Sequence, residues 1–309
     1  MEYISKTLDF HVKEPSVISF GKFDGLHRGH EFLMEKQIEQ SNLHGYKRII
    51  FTFDIPPKSE VLGVESKVII TNDEKEYVFE KSGIDYLIEC PFVPQVMTME
   101  ADAFVRWIVK SLNVKCIIVG DDFRFGHNRA GDHRLLSAMA GELGYELIVV
   151  DKIKDGDRDI SSTYIREEIA AGHIKKANEL LGYPFFIKGR VVQGRALGRT
   201  IGIPTVNLSV PHDKLLPPKG VYMSRVLVRD NWYLGVTNIG CKPTIEGKNP
   251  IGAETYIIDF GQDVYGQDIM VELHKFVRPE MKFDSIEALK SQMSADINYT
   301  INYAGSHTF

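Results

Sequence analysis

The residues best suited to chemistry begin at residues 20–30, FGKFDGLHRGH, where Gly21, Gly25 and Gly29 are interleaved with His27 and His30. Such glycines allow sharp turns and close approach of backbone to a ligand. If a helix starts near Gly29, its free amides and dipole form an anion site. His27 and His30 are three apart and can share one face of that helix. An imidazole near neutral pH donates hydrogen bonds to phosphate oxygens and gains charge as phosphate charge builds up. That suits phosphoryl or nucleotidyl transfer, where positioning and charge stabilisation dominate. The plainer alternative is a glycine turn with solvent-exposed histidines. The P-loop pattern GxxxxGK[ST] is absent.

Two further stretches carry related chemistry. In DISSTYIREEI, residues 159–169, the hydroxyls of Ser161, Ser162 and Thr163 can cap helix amides or hold phosphate. Ser162 and Arg166 are four apart, so hydroxyl and guanidinium can face one polyphosphate; the alternative is a capped surface helix with an Arg–Glu pair. In GRALGRTIGIPTVNL, residues 194–208, Gly194, Gly198 and Gly202 flank Arg195 and Arg199 and could enclose phosphate. Thr205 and Asn207 point the same way on a strand and offer oxygens to a hard cation such as Mg²⁺. A turn followed by an ordinary polar strand fits the same spacing.

The elements that must position these groups change near residue 184. Before it, VISF, RIIFTF, DYLIEC, KCIIVG and ELIVV read as short buried strands alternating with helices at 30–43, 72–83, 100–112 and 132–143. This alternation predicts a Rossmann-like α/β domain with a parallel sheet covered on both faces. Ligands bind such sheets beyond the strands' carboxyl ends, at a topological switch point. After LLGYPFF, closely spaced strands with Gly, Pro, Asn and Asp turns predict a small all-β barrel or sandwich. Asp230-Asn231 is the expected hairpin turn in VRDNWYLGV. A terminal helix carries Ile286, Leu289, Met293 and Ile297 on one stripe. The expected domains are residues 1–183 and 184–309.

The 309-residue length exceeds what one core usually organises. With 43% hydrophobic and 26% charged residues, the composition is that of an ordinary globular protein. No apolar run approaches the roughly 20 residues that span a bilayer, and the first residues lack the pattern of a signal peptide. A net charge of −5 argues against general nucleic-acid or membrane partners. Cys90, Cys116 and Cys241 are far apart and of odd number, as expected of reduced thiols in a cytoplasm. The sequence sets no oligomeric state.

GxFDGxHxGH followed by SSTxIR resembles the adenylyltransferase half of bacterial bifunctional riboflavin kinase/FMN adenylyltransferases. VGDDFRFGHNRAGD, residues 119–132, matches another stretch of that family, and the resemblance covers almost the whole chain. It implies a nucleotidyltransferase-like α/β domain in which the FMN phosphate attacks the α-phosphorus of ATP, giving FAD and pyrophosphate. His27 and His30 would stabilise charge on ATP, and Gly21, Phe23, Asp24 and Gly25 would shape the nucleotide loop. Ser162, Thr163 and Arg166 would hold the polyphosphate. Asp122, Phe123, Arg124 and Phe125 would line the flavin and nucleotide pocket; without the family, DDFRFG reads as a turn carrying a buried aromatic.

For the second domain the resemblance implies a six-stranded riboflavin kinase barrel with a C-terminal helix, transferring the ATP γ-phosphate to riboflavin. The glycine–arginine loop of Gly194, Arg195, Gly198 and Arg199 would bind ATP, and Thr205 and Asn207 of the GxPTAN-like signature would hold Mg²⁺. Glu254 would be the base, where its residue type alone gives one strand carboxylate among many. Arg278 and Phe283 would contact flavin, although core packing also suits Phe283. The implied ligands are riboflavin, FMN, FAD and ATP. Three positions depart from the family: Pro56 replaces a histidine and removes its hydrogen bonds, Val206 replaces alanine, and Lys242 replaces arginine, losing the planar fork. Alternatives are an adenylyltransferase with a weak or inactive kinase half, another nucleotidyltransferase, and a flavin-binding sensor.

Overall fold

Apolar side chains on consecutive residues of one strand need cover on both sides, and Ser16–Phe20 (β2) is buried along its whole length. Val17 packs with Leu33, Cys116 and Ile118 on one face of the sheet. Ile18 packs with Phe104, Ile108 and Ile117 on the other. The computed structural model describes residues 1–54, 67–194, 198, 201–241 and 251–306. Pro56, Arg195, Arg199 and Lys242 lie outside these residues.

The chain forms two compact units, the first comprising Met1–Ser66 and Ile70–Ser161. Its strands are β1 (Glu2–Ser5), β2, β3 (Lys47–Asp54), β4 (Tyr86–Pro91), β5 (Val114–Gly120) and β6 (Glu146–Val150). They pair in parallel in the order β1-β4-β3-β2-β5-β6. The chain moves one way from β2 through β3 to β4, then returns to the other side of β2 at β5. The switch point therefore lies between β2 and β5. Helices α1 (Arg28–His44), α2 (Asn72–Lys81), the single turn α3 (Pro94–Met97), α4 (Ala101–Ser111) and α5 (His133–Leu143) connect the strands. The four helices expected here are present; β1 and the short hairpin β7–β8 (Lys154–Asp155, Arg158–Asp159) have no counterpart in the sequence reading. Cys90 and Cys116 are buried free thiols, pushed up to about 12 by desolvation.

The second unit comprises Lys67–Ile69 and Ser162–Phe309. Helices α6 (Ser162–Ala170) and α7 (Ile174–Leu181) lead to strands β9 (Phe186–Val192), β10 (Thr205–Leu208), β11 (Gly220–Val228), β12 (Asn231–Cys241), β13 (Ile251–Ile257) and β14 (Asp268–Arg278). These close into a barrel in the order β10-β13-β12-β11-β14-β9, and helix α8 (Ile286–Gly305) ends the unit. The β11–β12 turn is Arg229-Asp230, with Val228 paired to Asn231, one residue earlier than expected. Arg229 takes the left-handed conformation at φ 53°. A one-residue slip would turn every side chain of a strand to the opposite face, so the barrel's pattern overrides the turn's local preference. On the terminal stripe, Leu289, Met293 and Ile297 face the barrel unit's cavity, while Ile286, the first helical residue, is 54% exposed.

Inside the barrel, the Thr237 hydroxyl donates to Ser224 Oγ at 2.8 Å and lies 2.9 Å from Thr255 Oγ1. Side chains alternate along strands, so Glu254 and Asn238, next to Thr255 and Thr237, point to the barrel's outer face. Register aligns Asn207, Glu254, Asn238, Val221 and Arg278 in one row across five strands. Thr237→Val keeps the shape but leaves two buried hydroxyls short of a partner, which should lower barrel stability by about 1–3 kcal/mol. Urea unfolding measures this, and a midpoint equal to the parent's would show that the three hydroxyls do not act together.

Candidate functional site

The first constellation stands where β2 ends. His27 is the N-cap residue of α1, and its carbonyl accepts from the backbone N–H groups of His30 at 2.7 Å and Glu31 at 3.0 Å. Its imidazole stacks on that of His30, centroids 3.8 Å apart with 24° between planes. Gly29 permits this: a Cβ there would stand 3.1 Å from His27 Nδ1. Phe23, fully buried with φ 50°, supports the pair from below, its ring 5.0 Å from His30 and 5.5 Å from Phe79. Gly21 lies against the Phe23 ring, and Gly25 takes a φ of 91°. Asp24 Oδ1 accepts from the Ile70 amide at 3.4 Å. The histidines are therefore packed, not solvent-exposed on a turn.

Burial pushes His27 down to about 4 and, with His27 as a neighbour, holds His30 well below the usual histidine range. The Nδ1 atoms of both are buried without a hydrogen-bond partner among the described residues. Two neutral imidazoles whose Nδ1 atoms are unpaired among the described residues, at the amino end of α1, are an arrangement able to hydrogen-bond an anion and to gain charge beside it.

Across the switch point, β5 leads into DDFRFG. Phe123 stacks on Phe20, the last residue of β2, at 5.5 Å, and on Phe125 at 5.3 Å. Phe125 is buried against Phe104, and a Cβ on Gly131 would come within 2.7 Å of its ring. So Phe125 is the buried aromatic of the plainer reading, and Phe123 is the half-buried ring above it. Asp122 is exposed and pairs with Lys152 at 3.0 Å. Arg124 is exposed and donates to the Phe123 carbonyl at 2.9 Å.

In the second unit, a cavity of about 540 Å³ opens between the barrel's outer face and α8. Gly198, Thr205, Glu254, Arg278 and Phe283 all line it. The Thr205 hydroxyl donates to Glu254 Oε1 at 2.5 Å. Asn207 is buried opposite Glu254, its amide so close to Gly194 that a Cβ there would stand 2.1 Å from Nδ2. Gly198 is likewise required, since a Cβ would meet the Ile203 carbonyl at 2.3 Å and Thr205 Oγ1 at 3.2 Å. Val206 pairs with Thr255 and so faces away from Thr205 and Asn207. Its added bulk lies off the cavity face. Ser162, Thr163 and Arg166 stand in the first turns of α6, do not line this cavity, and Arg166 donates to the Lys67 carbonyl.

Two family models match the chain, FAD synthetase over residues 9–164 and riboflavin kinase over residues 181–304. A protein named bifunctional riboflavin kinase/FMN adenylyltransferase from Listeria monocytogenes is 33% identical, over 91% of this chain and 90% of its own. One of the same name from Escherichia coli K12 is 36% identical, over 92% and 91%. The chain belongs to the bifunctional riboflavin kinase/FMN adenylyltransferase family. A solved structure titled a macrolide-efflux protein, from Streptococcus pneumoniae, shares the fold with TM-score 0.86 and 32% identity, over 97% of this chain and 98% of that one. Among the described residues no helix is long and apolar enough to cross a membrane.

Three residues of this family member escaped the sequence reading. Asn238 lies in the row beside Glu254, its only signal being its place in TNIGCKPT. Asp296 interrupts the apolar stripe of α8. Lys75 of α2 is 8% exposed and held below the usual lysine range by burial, against the charges of Glu89, Asp24 and Asp54.

The depressed His27 has a consequence for stability. The folded chain holds it neutral, so unfolding takes up a proton between about pH 6.5 and about pH 4. Its contribution is complete above pH 6.5 and falls with pH, by about 3 kcal/mol at pH 4. His30 acts in the same direction. His27→Gln should flatten the acid limb of stability against pH in denaturant unfolding; an unchanged slope would mean that His27 is not buried neutral.

Proposed function

We propose that the chain converts riboflavin to FMN and FMN to FAD, with adenylyl transfer in residues 1–183 and phosphorylation in residues 184–309. The observation that carries the reading is the joint one: a stacked neutral histidine pair at the switch point and a Thr205–Glu254 pair on the cavity wall, in segments matched by two different family models.

In the kinase step, Glu254 accepts the proton of the riboflavin 5′-hydroxyl, whose oxygen attacks the γ-phosphorus of ATP while the bond to the β-phosphate oxygen breaks and ADP leaves. Gly194 and Gly198, with Arg195 and Arg199 of the same motif, bind ATP. The neutral oxygens of Thr205 and Asn207 suit Mg²⁺ held mainly by phosphates, the usual habit of that ion, which neutralises phosphate charge when bound. Arg278 and Phe283 bound the flavin. In the second step a phosphate oxygen of FMN attacks the α-phosphorus of ATP and pyrophosphate leaves. His27 and His30 donate to the phosphates, and Gly21, Phe23, Asp24 and Gly25 shape the loop beneath them. Asp122, Phe123 and Arg124 edge the flavin and nucleotide pocket, and Phe125 acts through Phe123. Ser162, Thr163 and Arg166 are assigned the polyphosphate and departing pyrophosphate from their motif. Buried reduced thiols support placing both steps in the cytoplasm.

Chromatography of flavins after incubation with riboflavin, ATP and Mg²⁺ should show FMN, then FAD. Glu254→Gln should slow FMN formation by about 10²–10⁴ and spare FAD formation from supplied FMN. His30→Ala should do the reverse, slowing FAD formation by about 10²–10³. If either variant loses both activities while its melting curve matches the parent's, the assignment of one chemistry to each segment is wrong.

A further inference from the structure

Asp296 is 4% exposed yet lies on the wall of the barrel unit's cavity. A carboxylate so buried is costly unless its oxygens are matched. Arg278 Nε donates to Oδ1 at 3.0 Å and Nη2 to Oδ2 at 2.7 Å, and Gln292 Nε2 adds a third bond to Oδ1 at 3.0 Å. A two-pronged guanidinium–carboxylate pair fixes the plane of the guanidinium as well as its distance. The remaining nitrogen of Arg278, Nη1, donates to the Pro279 carbonyl at 3.0 Å, and the guanidinium carbon stands 5.9 Å from the centroid of the Phe283 ring. One carboxylate on α8 thus sets the end of β14, the start of the segment after it, and the aromatic ring that closes that segment.

We propose that Asp296 is a positioning residue for flavin, acting through Arg278. It fixes the guanidinium plane and keeps the Phe283 ring beside it, so that residues 279–283 offer riboflavin a preformed wall. This rests on reading the cavity as the riboflavin site. An ordinary tie between helix and barrel would affect folding and every kinetic constant of the kinase step together. A positioning role separates them, because ATP and the base at Glu254 do not depend on the Arg278 plane.

The test measures KM for riboflavin and for ATP, kcat and melting temperature on the full chain. Asp296→Asn keeps the volume but loses the charge and one prong; it should raise riboflavin KM by about 10- to 100-fold while leaving ATP KM and FAD formation from FMN unchanged. Gln292→Leu, which spares the ion pair, should move riboflavin KM the same way by a smaller factor, and serves if the first variant does not fold. Unchanged riboflavin KM in the folded variants overturns the proposal. So does a joint rise of both KM values with a fall in kcat and melting temperature, which marks a structural tie. A parent chain that does not phosphorylate riboflavin overturns the reading of the cavity itself, and that result is read without any variant.

Discussion

Register is the constraint on which both units depend. In a closed barrel each strand is paired on both sides, so no strand can slip without moving its neighbours. The consequence is chemical as well as structural. Thr255 must face Thr237 inside, which sends Glu254 outward beside Asn207 and Asn238 and brings Arg278 into the same row. A slip of one residue would bury the carboxylate among the barrel hydroxyls and turn a threonine toward the cavity. In the parallel sheet the same rule sends Val17 and Ile18 to opposite faces, and the two sets of helices hold β2 against shear. The end of β2 is then a fixed platform, with Phe20 on one side of the switch point and the glycine loop beyond it.

Several buried polar atoms that lack a partner stand at or beside that platform. Among the described residues, Ser19 Oγ and Thr52 Oγ1 are buried and unpaired, as are the Nδ1 atoms of His27 and His30. Each such group costs about 1–3 kcal/mol, and a core selected only for stability would replace them. Tight backbone adds to this. Phe23 and Leu26 both adopt positive φ in the loop between β2 and α1. Backbone strain in this loop, with unpaired polarity on the elements around it, suits a preorganised anion site, whose donors must be in place before the ligand arrives.

Much of this was legible in the sequence because it follows from local rules. Ile and Val runs located five strands of the sheet, and helical spacing located α1, α2, α4 and α5. The histidine spacing and the placement of Gly29 near the helix start put both imidazoles on one face. What escaped depends on partners distant in sequence. β1 is a short edge strand whose pairing with β4 joins Glu2 to Tyr86; no periodicity in EYIS announces it. The β11–β12 turn follows from β12's pairing with β13, not from Asp-Asn chemistry. Asp296 is only a polar break in an apolar helix stripe until Arg278, brought in by the end of β14, is seen against it. The stacked imidazoles were foreseeable as a pair, but their neutrality was not, because it comes from burial around Phe23 and Phe79.

The two constellations differ in charge, and on the proposed reading that difference follows from their nucleophiles. A riboflavin hydroxyl must lose a proton as it attacks, so the barrel presents a carboxylate, Glu254, with a hydroxyl donor at 2.5 Å. The nucleophile of the second step is a phosphate oxygen, anionic at neutral pH, and it needs no base. Additional negative charge would repel it. What that step needs is hydrogen-bond donation to phosphates whose charge shifts as pyrophosphate leaves. Fixed cations at His27 and His30 would repel each other at a centroid separation of 3.8 Å. Neutral imidazoles stack without that penalty, donate through N–H, and take up a proton only when phosphate charge makes the cation favourable. The depressed pKa of the pair is thus the condition for holding two histidines together in the free protein, and the incoming anion relieves it.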